Sequence, residues 1–360
     1  MPRNYTYTDA GVNRKQRVES KKALTTLSET YKHSQYNGVM HLPYGNIFPM
    51  AENTFLDLVI EGVGTKVLIA QMTQKYDTIG VDAVAMAVND VIRSGAKPLA
   101  IADNIHAQAS EPTLAKAWLK GIIQGAHESD CPVTGGETGD VAEIIKGIAK
   151  NAGFDMVVSS VGRVERSEII TGENINPEDP IIGLPSSGLH SNGITLARKI
   201  LFKQWGGKYQ PTNIPEGLER EIALEVLEPT KIYVKPLLKL AREVKIKAAV
   251  HITGDAFTKF NNLVNYSPGI GFQFNKFNPQ PIFRLIQKTA TELGYTITDE
   301  EMFKTFNMGW GFGIIVDKTD IDKAMNTLEQ DETNPEIIGI VTGKERVVEI
   351  EYKSKHMILT

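Results

Sequence analysis

Two periodicities divide the chain into strands and helices. Short apolar runs at 55–59, 67–70, 98–102, 154–162, 181–184, 248–250, 311–316 and 336–341 have the length and β-branched content of buried strands. Between them apolar residues return every three or four positions, as a helix with one packed face requires. Val84, Val88, Val91 and Ile92 form such a face in a helix expected over 77–95. Ala115, Leu119, Ile122, Ile123 and Ala126 do the same over 111–129. Ile194, Ala197 and Leu201 mark a further helix, Val234, Leu237, Leu238 and Ala241 another, and Ile282, Leu285, Ile286 and Leu293 a third. On the first of these helices Asn89 and Asp90 point off the apolar stripe, toward solvent or a cleft.

Strands and helices are mixed without strict alternation, and no Gly-x-Gly-x-x-Gly is present. The class is therefore α+β, in two domains, rather than a Rossmann fold. A charged, proline-bearing stretch over 165–180 separates a first unit at 55–165 from a second at 175–350. Ahead of them lies an arm over 1–54, with a charged helix at about 15–32 and a loop from 38 to 53. Such an arm packs on another subunit, covers a ligand, or stays mobile.

Composition narrows the function classes. At 360 residues, 41% hydrophobic and 23% charged, the chain can bury two proper cores. A net charge of −4 gives no case for nucleic acid as partner. No apolar run reaches 18 residues, so no membrane span is expected. Cys131 is the single cysteine, which excludes an internal disulfide, and the polar N-terminus lacks a signal-peptide core. The expectation is a cytoplasmic protein. The seven histidines never fall in a zinc-type pair.

Candidate chemistry gathers where apolar runs end. Ile60-Glu61-Gly62-Val63-Gly64-Thr65-Lys66 places an acid, two glycines, a hydroxyl and a lysine between two apolar runs. Glycine lets backbone N–H groups approach an anion, lysine adds charge, and the acid suits magnesium shared with phosphate. This is not the common P-loop, whose glycine and lysine spacing is absent. Asp103, after the run 98–102, and Glu137, in the turn-like Gly135-Gly136-Glu137-Thr138, are further acids of metal-ligand type. Ser186-Ser187-Gly188-Leu189-His190-Ser191-Asn192-Gly193 joins a strand to a helix N-terminus, a ready anion site, although Ser191 and Asn192 would also serve as caps. His251, delivered by a buried strand and followed by Ile252-Thr253-Gly254, is placed for a ligand or for proton work.

Taken in order, these blocks resemble the aminoimidazole ribonucleotide synthetase (phosphoribosylformylglycinamidine cyclo-ligase) family of the PurM superfamily. The match runs from Tyr7-Thr8-Asp9-Ala10-Gly11-Val12 through Gly62-Val63-Gly64-Thr65-Lys66, Val88-Asn89-Asp90 and Gly135-Gly136-Glu137-Thr138. It continues through the serine loop, Leu227-Glu228-Pro229-Thr230-Lys231-Ile232-Tyr233, His251-Ile252-Thr253-Gly254 and Phe306-Asn307-Met308-Gly309. The resemblance implies two α+β domains of the PurM type, with N-terminal sheets pairing across a homodimer interface and ATP along it. It implies ATP-dependent cyclisation of formylglycinamidine ribonucleotide, with magnesium.

Under that resemblance Gly62, Gly64, Thr65, Lys66, Asp90, Asp103, Gly136, Glu137 and Thr138 would bind the nucleotide. Glu61, Asp90, Asp103 and Glu137 would hold the metal, and Ser187, Gly188, Ser191 and Asn192 the substrate phosphate. Lys66, His190 and His251 are the catalytic candidates, with the choice between the histidines open. The chain departs from the family at Glu61, where aspartate is usual, at Asp255-Ala256, where two glycines are usual, and at Gly139-Asp140-Val141. Two other readings stay open. One is a sibling ATP-dependent enzyme, of selenophosphate synthetase or thiamine-phosphate kinase type; the other is a non-catalytic nucleotide-binding protein.

Overall fold

The computed structural model describes residues 3–33 and 38–359. Residues 1, 2 and 34–37 of the expected arm, and Thr360, lie outside the described residues.

The first domain is a mixed six-stranded sheet with helices on one face. Its strands run in the order Met40–Leu42, Gly45–Pro49, Thr54–Gly62, Phe154–Glu165, Lys97–Ala107 and Val133–Asp140. Only the last pair is parallel; the others are antiparallel. Alternation along Phe154–Glu165 sends Phe154, Met156, Val158 and Val164 inward. Asp77–Val91 and Pro112–Ser129 cover that inner face. They cross backbone to backbone: a Cβ on Gly80 would lie 2.3 Å from the Ile122 nitrogen, and one on Gly121 2.1 Å from the Asp77 carbonyl. The outer face of the sheet is bare, with Leu58 64% and Ile60 69% exposed.

The second domain is a seven-stranded sheet ordered Lys355–Leu359, Val348–Tyr352, Gly271–Phe274, Glu336–Thr342, Pro180–Pro185, Trp310–Val316 and Ile246–His251. Pro180–Pro185 and Trp310–Val316 are buried almost throughout, which explains their unbroken apolar character. Helices Ile194–Leu201, Val234–Glu243, Pro281–Glu292 and Ile321–Glu329 supply its packing layers. One continuous apolar cluster runs from Val63 and Ile79 in the first domain to Phe306 and Ile350 in the second. Burying both domains against each other in this way favours a fixed mutual arrangement.

Three stretches differ from the sequence expectation. Residues 67–70 belong to the helix Lys66–Thr73, not to a strand, because Gly64 at φ 65° turns the chain and Thr65 opens a helix. A short apolar run does not distinguish the two. Residues 40–49 form a hairpin across Pro43-Tyr44 rather than a loop, so the sheet begins ahead of residue 55. Gly135-Gly136-Glu137-Thr138 is edge strand, in parallel register with Ala102 to Ile105, rather than a turn.

Of the arm, Arg3–Asn4 pairs in parallel with Tyr295–Thr296 of the second domain. The helix Arg14–Ala23 follows, capped by Asn13, whose side chain accepts from the Gln16 amide, and a 3-10 stretch Leu24–His33 extends it.

Candidate functional site

Helix Asp77–Val91 lies between the domains and carries polar residues on the side away from its apolar stripe. Asp82, Met86, Asn89 and Asp90 recur at i, i+4, i+7 and i+8, and Arg93 follows one turn later. Asp82, Met86, Asn89 and Asp90 meet the second domain, so Asn89 and Asp90 are buried rather than solvated, while Arg93 turns back to Asp90 and Tyr44.

At one end of the stripe is a dry seam. Lys66, fully buried, donates to Asp82 Oδ1 at 2.9 Å and to the Glu228 carbonyl at 2.7 Å. Asp82 also accepts from the Thr230 amide (2.8 Å), the Thr230 hydroxyl (2.6 Å) and the Ser191 hydroxyl (3.0 Å). Burial lowers the Lys66 pKa, and the Asp82 carboxylate opposes that shift. Asn89 clamps the same boundary, donating to the Lys231 carbonyl at 2.8 Å and accepting from the Tyr233 amide at 2.9 Å. Thr65 and Thr195 hydroxyls meet across it at 2.9 Å. Lys66 and Ser191, expected on phosphate, are thus engaged by protein groups in this structure.

At the other end the stripe opens into a polar cleft of about 430 Å³. Glu61, Asp90, Arg93, Asn192, Thr253 and Lys259 line it, together with Arg17 and Lys21 from the arm. Asp90 is the centre of its charge. One carboxylate oxygen lies 2.7 Å from His251 Nδ1, the other 2.7 Å from the Arg93 guanidinium. Burial works against ionising Asp90, but Arg93, His251 and Lys259 together hold its carboxyl well below the usual range. An ionised carboxylate can only accept, so His251 Nδ1 carries the proton and Nε2 keeps a lone pair. That Nε2 is buried with no partner. Burial depresses the His251 pKa, and Asp90 partly offsets the shift. Phe312 stacks on the ring at 5.8 Å.

Glu61 stands beside Asp90. Burial first, then the Asp90 carboxylate, pushes its pKa up to about 7. Lys259 donates to the His251 carbonyl at 3.1 Å and to the Thr253 hydroxyl, and burial lowers its pKa to about 8. Arg93 and Lys259 have no motif around them. A basic residue three positions after Asp90 on a helix was the available signal for Arg93.

The four candidate metal acids do not gather in one place, and among the described residues no group of three or more His, Cys, Asp or Glu side chains could hold a metal ion. Glu61 and Asp103 sit in one register row of the sheet's inner face, both opposite Val158, and so about 10 Å apart. Glu137 pairs with Asn104, which puts it on the outer face. Gly136 packs against the Asp103 carboxylate, and Thr138 is exposed on the edge strand. Glu61 and Asp90 alone are neighbours. Two carboxylates that repel one another fit a magnesium ion completed by phosphate oxygens and water.

The serine loop is tied inward. The Ser187 hydroxyl donates to the Pro229 carbonyl, the Ser187 amide donates to His190 Nε2 at 3.1 Å, and the Gly188 carbonyl accepts from Asn307 at 2.8 Å. Gly193 then opens the helix Ile194–Leu201 at φ 73°, where a Cβ would strike the Phe306 ring at 2.2 Å. Burial keeps the His190 pKa well below its ordinary value, so the ring is neutral, and its Nδ1 is buried without a partner. Asn192 is the one member of the expected phosphate set that reaches the cleft.

Known proteins share this architecture. Residues 46–164 match the family model for the AIR synthase related protein N-terminal domain, and 176–351 that for its C-terminal domain. A phosphoribosylformylglycinamidine cyclo-ligase of Methanocaldococcus jannaschii is 36% identical over 98% of this chain and 99% of its own. One from Bacillus pumilus is 37% identical over 95% and 96%. Among solved structures, a HypE–HypF complex chain superposes with a TM-score of 0.61 at 15% identity, covering 95% of this chain and 99% of that one. Thermotoga maritima PurL complexed with ATP gives 0.55 at 11% identity, covering 86% of this chain and 44% of that one. These last two speak for the fold alone. With both family models matched and full-length relatives above 30% identity, the chain belongs to the AIR synthase related family, alongside the phosphoribosylformylglycinamidine cyclo-ligases.

Proposed function

We propose that this chain closes the imidazole ring of aminoimidazole ribonucleotide, as an ATP-dependent phosphoribosylformylglycinamidine cyclo-ligase. The observation that carries the reading is the reach of the match: relatives of that name align over both domains and therefore over the cleft between them. The γ-phosphoryl group of ATP passes to the formyl oxygen of formylglycinamidine ribonucleotide. An amidine nitrogen attacks the formyl carbon, a proton leaves that nitrogen, and the formyl oxygen departs within phosphate.

His251 is the base that receives the proton, through Nε2, with Asp90 fixing its tautomer and Arg93 keeping Asp90 ionised. Glu61 and Asp90 would hold magnesium, which when bound would supply positive charge to the transferring phosphoryl group. Lys259 and Asn192 face the reacting phosphates. His190 holds the serine loop behind the cleft as a neutral ring, accepting from the Ser187 amide. Lys66 acts from the seam, holding Asp82 and the Glu228 carbonyl in place.

In the same reading residues 55–165 carry the nucleotide, and 175–350 the ribonucleotide. A homodimer forms through the bare outer face of the first sheet, where Leu58 and Ile60 are exposed. That pairing would bring Glu137 and Asn104 to the interface and to nucleotide lying along it. Cys131, a buried free thiol, suits the reducing cytoplasm, and among the described residues no helix is long and apolar enough to cross a membrane.

The test is ADP release from magnesium-ATP with and without formylglycinamidine ribonucleotide, while aminoimidazole product is followed. Product in step with ADP is expected; ATP binding without substrate-dependent turnover would discard the reading. Ile60→Glu should shift the sedimentation profile from dimer to monomer, and an unchanged profile would remove the sheet-face dimer.

A further inference from the structure

The arm reaches the cleft, and its anchorage is stronger than a mobile terminus needs. Arg14 donates to both Glu301 oxygens (2.9 and 3.0 Å), to the Lys304 carbonyl at 3.0 Å and to the Thr305 hydroxyl at 2.7 Å. Glu301 also accepts from the Tyr7 amide at 2.9 Å, and the Arg14 guanidinium lies over the Tyr7 ring. This fastens the first turn of the helix Arg14–Ala23 to the second domain. Positions i+3 and i+7 share the anchored face, and these are Arg17 and Lys21. Both line the polar cleft, across from Asn192 and Lys259.

The cations of the cleft are not equally engaged. Arg93 is paired with Asp90, and Lys259 donates to protein oxygens. Lys21 approaches Asp255 only at 3.9 Å, and among the described residues Arg17 makes no side-chain hydrogen bond or ion pair. Asp255 is one of the positions where this chain departs from its family's glycines, so the arm's charge and that departure face each other. Meanwhile the serine loop spends its hydroxyls on protein partners and contributes only Asn192. A phosphoryl group in the cleft needs charged donors, and a guanidinium with open hydrogens is the strongest kind.

We propose that Arg17 and Lys21, held over the cleft by the Arg14–Glu301 anchor, complete a phosphoryl-binding subsite with Asn192 and Lys259. The inference rests on the ligase reading for its ligands, which are the phosphate of the ribonucleotide or the phosphates of ATP. Both are recognised by the same chemistry.

Melting temperatures of the full chain with ribose 5-phosphate, and separately with ATP, would be compared for the wild type, Arg17→Lys and the double variant Arg17→Ala/Lys21→Ala. Both side chains are exposed, so the unliganded proteins should melt together. At least one ligand should stabilise the wild type. The double variant should lose that response, and Arg17→Lys should keep most of it. A response to ribose 5-phosphate assigns the subsite to the ribonucleotide; a response to ATP alone assigns it to the nucleotide. In the ring-closure assay KM for the assigned ligand should rise about tenfold in the double variant, with a smaller fall in kcat. Equal shifts in wild type and double variant, or no shift with either ligand, overturn the proposal. An inactive wild type whose thermal response is still lost in the variant would remove the ligase reading and leave the subsite standing.

Discussion

The seam and the cleft are built by the same helix, from the same residue types, and do opposite things. At the seam the charges are paired, with Asp82 Oδ2 reached only by the Lys66 ammonium at 2.9 Å. Lys66 meets Asp82 and a carbonyl, Asp82 meets four donors, and Asn89 uses both ends of its amide. Such groups cost desolvation on burial and return it only when all partners are present. At the cleft capacity is left over. Glu61 titrates near neutrality beside Asp90, Arg17 stands unpaired among the described residues, and behind Asp90 the fully buried His251 leaves Nε2 without a partner. Burial and charge alone therefore do not identify reactive groups. Groups that line a space and keep capacity to spare, as Glu61 and Arg17 do, are the better guide.

The sharpest attempt to break this contrast is at His251. His251→Gln should lower kcat by about 10²–10⁴-fold while leaving the urea midpoint close to wild type. A collapse in stability with it would turn the cleft histidine into a seam residue. Asp82→Ala is the converse: it strands Lys66 in a buried site and should cost roughly 3–5 kcal/mol in urea unfolding. A stable Asp82→Ala protein with lost turnover would make the seam part of the active site.

The smallest effect is at Glu61. Its folded pKa of about 7 lies above the ordinary carboxyl value of 4.5, so the folded state holds the proton more tightly. The stability this contributes is complete below about pH 4.5 and is lost as pH rises through about 7. Glu61→Gln, uncharged and of equal size, should flatten the fall in melting temperature over that window. At pH 8, without magnesium, it should melt a few degrees higher, on the order of 5 °C. An unchanged pH profile would mean that Glu61 does not share its charge with Asp90.

Much of this was legible beforehand, for reasons that differ by residue. His251 and Glu61 stand at strand ends, and strand ends open onto clefts, so their placement follows from pattern. Asp90 was visible as a residue off the apolar stripe. What pattern did not resolve was what lay beyond: a second domain rather than water. The polar stripe through Asp82 and Asn89 was the available sign, since a solvated face seldom keeps to so narrow a row of mixed, short side chains. Lys259 had no such sign. It lies in the 3-10 stretch Ala256–Asn265, eight residues past His251, and only the tertiary fold brings it back. Glu137 illustrates the limit from the other side. Its motif reads as a turn, but the edge register puts it on the sheet face opposite Glu61.

The clamp of Asn89 on Lys231 and Tyr233 restricts how the protein can admit its ligands. Parting the domains to widen the cleft would tear Asn89, Asp82 and Lys66 from their partners at once, along a single rigid rod. The first turn of the arm helix is fastened to the second domain by Arg14, the Tyr7 amide and a two-residue strand pairing, while Tyr31 at its far end meets Asn46 and His41 of the first sheet's hairpin. Lifting the arm helix breaks the Arg14 contacts and leaves the seam whole, so a strap can be unbuckled where a jaw cannot be opened.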